Sequence, residues 1–164
     1  MNLGNTCYLN ATVQVLRMVP ELSTALAESP ARIGSSGDAG LTAALRDLFR
    51  DLGNTRDAVP PIVFLTVLRQ IAPQFAERGE SGGFAQQDAE EVYVRILNSL
   101  SALPAPGGRL IEQYMTGAMT IARKCTETTD EAPTSASEPF LMLHCNISGT
   151  TNEMTAGIRE VCTY

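Results

Sequence analysis

Through the first hundred residues, apolar positions recur at three- and four-residue steps; beyond them that spacing is lost. Leu9, Val13, Leu16 and Val19 form one stripe, which predicts an amphipathic helix starting near Cys7. Glu21 to Glu28 predicts a short second helix ended by Ser29-Pro30, and Gly34 to Gly40 reads as an exposed loop. Leu41, Leu45, Leu48, Phe49 and Leu52 mark a third helix, stopped at Gly53-Asn54. Pro60 and Pro61 open a fourth, carrying Phe64, Leu65, Leu68 and Ile71, because proline in a first turn gives up no needed amide. Glu77 to Gly83 is a polar, glycine-rich connection. Gln86 to Leu100 then predicts a strong helix with Ala89, Val92, Tyr93, Ile96 and Leu100 on one side.

Pro104-Ala105-Pro106-Gly107-Gly108 breaks this pattern. Met115 to Ala122 and Phe140 to Ile147 are short apolar segments that predict strands, separated by a polar, mobile stretch from Thr126 to Glu138. A helical half (1–103) followed by a strand-forming half (104–164) is an α+β arrangement.

Composition narrows the classes. A chain of 164 residues, 44% of them hydrophobic, can bury one core and is not pervasively disordered. No apolar run approaches the roughly 20 residues needed to span a bilayer, and no secretory pattern is visible. The net charge is −6, and residues 124–164 hold two basic and six acidic groups of it. That balance argues against nucleic acid or an anionic membrane as partner and suits a basic protein ligand, although simple solubility explains it equally.

The four cysteines are Cys7, Cys125, Cys145 and Cys162, with no Cys-x-x-Cys pair. A four-thiolate zinc site is unsupported, and His144 adds at most a third ligand to Cys125 and Cys145. No metal and no other cofactor is expected. A reducing compartment is expected, the cytoplasm with the nucleus as an alternative.

Cys7 is the residue with the strongest claim to chemistry. Gly4 and Asn5 interrupt regular structure, Asn5 and Thr6 are good N-caps, and a helical stripe follows, so the sulfur is expected in a first helical turn. Unpaired amides and the positive end of the helix dipole there favour thiolate, the nucleophilic form. Read alone, a free cysteine is more often a small buried hydrophobe.

The run Asn2-Leu3-Gly4-Asn5-Thr6-Cys7-Tyr8-Leu9-Asn10, continuing through Gln14, resembles the cysteine box of the ubiquitin-specific proteases. Val19-Pro20-Glu21-Leu22, Leu41 to Phe49, Pro73 to Glu77, Gln86-Gln87-Asp88-Ala89 and Lys124-Cys125-Thr126-Glu127 are similar to the proteasome-associated branch of that family, with the likeness running from residue 2 to about 145. The resemblance implies a papain-like cysteine peptidase with a helical thumb over 1–103. The fingers and palm would begin in 104–164, so the segment would be the N-terminal part of a catalytic domain. It implies Cys7 as nucleophile and Asn2 as an oxyanion donor. Gln87, Asp88 and Glu91 would line the cleft for the ubiquitin tail, where the acids could pair with the tail's arginines. Glu90 stands where that branch usually has Asn and is expected to matter little. From the residues alone, Asp88 and Glu91 are as well explained as a capping pattern, and Phe75 and Phe84 as core.

A thiolate protease also needs a base. His144, in Leu143-His144-Cys145, lacks the aromatic, glycine-rich surround of the family's histidine box, so the base is expected beyond residue 164. The implied function is hydrolysis at the C-terminal glycine of ubiquitin, with ubiquitin, ubiquitinated proteins and the proteasome as partners. The family's ubiquitin-like docking domain is absent here, so proteasome docking is the weaker expectation. The alternatives are a catalytically incomplete ubiquitin-binding module and a helical interaction domain unrelated to ubiquitin.

Overall fold

In the structure, a computed structural model, residues 3–30, 36–80, 82–102, 107–127 and 130–161 are described. They divide into two units, Met1–Tyr114 and Met115–Tyr164.

The first unit is helical. Helix α1 (Cys7–Arg17) stops short of Val19, the last residue of its stripe, because Pro20 keeps the preceding residue extended. Pro20 then opens α2 (Pro20–Glu28). Helix α3 (Gly37–Asn54) begins four residues before the expected start, taking in part of what reads as loop; the first two positions of that loop, 34 and 35, lie outside the described set. The two prolines precede α4 (Ile62–Ile71), followed by a 3₁₀ turn at Pro73–Ala76. Helix α5 (Ala89–Ser101) starts three residues later than the pattern predicts. Helix α6 (Gly107–Tyr114) stands where a break was expected, its Ile111 fully buried.

These helices share one core. Leu9, Leu16, Leu41, Leu45, Phe64, Leu68, Val92, Ile96 and Leu97 are each at most 1% exposed. Burial of such side chains contributes roughly 1.5–3 kcal/mol apiece. Polar side chains tie the helix ends. Arg17 donates to the Leu52 carbonyl at 2.8 Å and Arg46 to the Ser29 carbonyl at 3.1 Å, satisfying carbonyls at the C-terminal ends of α3 and α2. Near the start of α3, the Asp38 carboxylate accepts from Arg95 at 2.7 Å and from Ser99 at 2.8 Å, both on α5. The Ser99 hydrogen bond, then the Arg95 guanidinium, hold the Asp38 carboxyl below its ordinary range.

The second unit is a hairpin and a helix. Strand β1 (Gly117–Arg123) pairs antiparallel with β2 (Thr134–Phe140), from Gly117 opposite Phe140 to Arg123 opposite Thr134. The expected strand over Phe140 to Ile147 does not form. Its place is taken by β2, whose residues Thr134 to Glu138 belong to the stretch expected to be mobile. The Phe140 ring lies over Gly117, so a side chain at that position would oblige the ring to shift. Helix α7 (Met154–Val161) was not expected. Its Gly157 packs against the Cys145 sulfur and the Asn146 carbonyl.

Candidate functional site around Cys7

The turn before α1 takes a left-handed path into the helix start. Gly4 (φ +89°) and Asn5 (φ +49°) are both left-handed, a region glycine and asparagine tolerate best. Thr6 is fully buried, and its hydroxyl accepts from the Leu3 amide at 3.0 Å, closing the turn. Its carbonyl accepts the first helical bond, from Asn10 at 3.0 Å. Cys7 is therefore the first residue of α1, exposed and free, where the helix leaves amides without intrahelical partners. Asn2, the expected oxyanion donor, lies outside the described residues.

The residues after Cys7 anchor the helix. Tyr8 is 4% exposed and stacks on Phe75, their ring centroids 5.9 Å apart and the planes 13° from parallel. Phe75 is thus a core residue. Among the described residues the buried Tyr8 hydroxyl has no partner at full hydrogen-bonding geometry. Burial raises its pKa, and the nearby Arg69 guanidinium works in the opposite direction. Burial in turn lowers the pKa of Arg69. The Thr12 hydroxyl lies 3.0 Å from the Tyr8 carbonyl and 3.2 Å from the Ala89 carbonyl, which joins α1 to the start of α5.

That junction brings the glutamine segment to the sulfur. Because α5 begins only at Ala89, Gln86 and Gln87 precede the helix, and their side chains reach away from it. The Gln86 amide points at the Cys7 sulfur from 3.9 Å, the outer limit of a sulfur hydrogen bond. Gln87 donates to the Gln74 carbonyl at 2.8 Å. Asp88 is the N-cap of α5, its carboxylate accepting from the Glu90 amide at 2.7 Å. Glu91 is exposed and shares with Glu90, Gln74, Arg95 and Asn98 a groove of about 520 Å³. Glu90, expected to matter little, is therefore part of the same surface.

Of the three residues expected to line the cleft, Gln87, Asp88 and Glu91, none makes the contact to the sulfur; Gln86, the neighbour of Gln87, does. Gln86 belongs to the same motif, yet its type and position alone do not point to the sulfur. The available signal was that Asp88 is an N-cap residue, which puts the side chains before it outside the helix.

The sequence likeness extends along almost the whole chain. The family model for ubiquitin carboxyl-terminal hydrolase matches residues 1–154. The chain is 42% identical over 162 residues to ubiquitin carboxyl-terminal hydrolase 6 of Schizosaccharomyces pombe, covering 98% of this chain and 33% of that protein. It is 38% identical over 169 residues to ubiquitin carboxyl-terminal hydrolase 6 of Arabidopsis thaliana, covering 98% and 34%. Against ubiquitin carboxyl-terminal hydrolase 14 of Caenorhabditis elegans it is 32% identical over 164 residues, covering 96% and 32%. The chain thus spans about a third of the length of these curated relatives. Its helical unit with an exposed cysteine at a helix start, its small antiparallel sheet and its match over residues 1–154 have one explanation: the chain belongs to the ubiquitin carboxyl-terminal hydrolase family, whose papain-like catalytic domain has the expected α+β class.

Proposed function

We propose that the chain carries the nucleophile and part of the substrate cleft of a deubiquitinating cysteine peptidase. The observation that supports this most is the free, exposed Cys7 at the first position of α1, faced by the Gln86 amide. The Cys7 thiolate attacks the carbonyl carbon of ubiquitin's terminal glycine, and the carbonyl electrons move onto oxygen. Backbone amides at the start of α1, with Asn2, receive that charge. Collapse of the intermediate expels the substrate amine, which leaves with a proton supplied by a histidine outside these residues. Water then hydrolyses the thioester and restores the thiol.

The substrates are ubiquitin conjugates. Gln87, Glu90 and Glu91 form the cleft edge that meets the extended, arginine-bearing tail, with Asp88 acting through its cap on α5. Likeness to the proteasome-associated branch, at Leu41 to Phe49 and Gln86 to Ala89, supports the proteasome as a site of action. A nucleophilic thiol of this kind belongs in a reducing compartment, which supports the cytoplasm, with the nucleus as the alternative.

Incubation with ubiquitin bearing a C-terminal vinyl methyl ester tests the reading by intact mass. The expected result is one ubiquitin added per chain, abolished by Cys7→Ala. If the unsubstituted chain forms no adduct yet binds ubiquitin by calorimetry, a non-catalytic ubiquitin-binding module is the correct description.

A further inference from the structure

We propose that Asn5 and Arg69 are positioning residues for the nucleophile: together they pin the segment at Phe84 so that Gln86 holds its amide against the Cys7 sulfur. The inference rests on the reading of Cys7 as nucleophile.

The geometry is that of two rungs. Asn5 stands two residues before Cys7, and Phe84 stands two residues before Gln86. The Asn5 side-chain amide donates to the Phe84 carbonyl at 3.0 Å, and the Gln86 side-chain amide reaches the Cys7 sulfur at 3.9 Å. The first contact sets the register of the second. Gln86 is exposed and precedes its helix, so neither packing nor helical hydrogen bonds hold it. Its place is determined by the backbone on either side.

The Phe84 rung is braced from the other direction. The Arg69 guanidinium lies 3.4 Å from the Phe84 ring centroid while its Nε donates to the Phe75 carbonyl at 3.0 Å. Phe75 is the ring stacked on Tyr8, the residue after Cys7. Arg69 therefore joins the Phe84 segment to the core beneath the nucleophile. The Arg78 guanidinium lies over the same ring at 4.1 Å and donates to the Gly82 carbonyl at 3.1 Å, and Ala85 donates to the Glu77 carbonyl at 2.8 Å. Two cations over one half-buried ring, in a chain of net charge −6, need a reason beyond solubility. The left-handed backbone at Asn5 explains why asparagine serves there: it accepts that conformation and also supplies the donor.

The test is the rate of Cys7 modification by ubiquitin vinyl methyl ester, resolved into a maximal rate and a half-saturating concentration, with thermal midpoints measured in parallel. Asn5→Gly keeps the backbone permitted and removes only the amide. It is expected to lower the maximal rate about tenfold while leaving half-saturation unchanged. Arg69→Met is expected to do the same, and Arg69→Lys to restore part of the loss, since a cation remains over Phe84. Gln86→Ala added to Asn5→Gly is expected to cost nothing more, because both act through one contact. An Asn5→Gly variant with a lowered thermal midpoint but an unchanged maximal rate would show a merely structural tie and overturn the proposal. Multiplying losses in the double variant would overturn it too. Failure of the unsubstituted chain to react would instead remove the nucleophile reading on which it stands.

Discussion

The residues up to Tyr114 and those from Met115 onward obey different rules. The first unit buries the faces of its helices against one another, from Leu9 on α1 to Ile111 on α6. In the second, Thr151 and Gly157 alone are buried among the described residues. Each strand of its hairpin pairs with the other and, among the described residues, with nothing else; β2 is exposed along nearly its whole length. A lone two-stranded hairpin is at best marginally stable in water. The candidate site lies wholly in the well-packed unit. There Thr12, Tyr8 and Asn5 tie the cysteine turn to residues far along the chain, at Ala89, Phe75 and Phe84. A reacting atom can be placed accurately only on such a base.

The largest expected effect is at the sulfur: Cys7→Ala removes ubiquitin adduct formation and leaves the thermal midpoint within a degree or two, since the side chain is exposed. Next comes the core. Leu68→Ala, at a fully buried position, is expected to destabilise the chain by about 2–5 kcal/mol in urea denaturation. Ile121→Ala on β1, where the side chain is only half-buried, is expected to cost less than about 1 kcal/mol. Equal losses at the two positions would erase the distinction between the units. Amide hydrogen exchange sharpens it: amides in α3 and α5 are expected to be the slowest, and those of Gly117–Arg123 and Thr134–Phe140 to exchange early.

The smallest effect concerns Asp38. Its folded pKa lies below the ordinary 3.8, so the stability it contributes is present above that value and is lost as pH falls below it through the folded pKa. Asp38→Asn is expected to cost under about 1 kcal/mol at pH 7, because the side chain is 42% exposed, and to cost progressively less as pH falls below 3.8. A pH-independent difference would show that hydrogen bonding, and not charge, holds α3 to α5.

The same contrast governs how much could be read before the structure. Helices α1 to α5 follow from their stripes because each buries one face, which is what periodicity reports. The errors there are at ends. Asp88, as N-cap, moved the start of α5 from Gln86 to Ala89 and so freed the two glutamines. Helix α6 was hidden behind Gly107-Gly108 and offers only Leu110, Ile111 and Tyr114 as apolar positions. In the second unit the signal fails for a physical reason. Strand β2 reads Thr-Ser-Ala-Ser-Glu-Pro-Phe, polar toward both sides because neither side is buried, so no alternation marks it. The apolar run after Phe140 drew the prediction instead. At the site, the placement of Cys7 at a helix start was legible from Gly4, Asn5 and Thr6. The approach of Gln86 was not, because it depends on a contact across 79 residues.

If the Cys7 sulfur, set at the start of α1 on a packed base, is the nucleophile for the ubiquitin tail, it reacts ahead of every other thiol in the chain. Peptide mapping of the ubiquitin vinyl methyl ester adduct, on the chain with all four cysteines present, tests it most directly. The label is expected on Cys7 alone, with Cys125, Cys145 and Cys162 unmodified. Label shared among the four cysteines, or found elsewhere than Cys7, would contradict it.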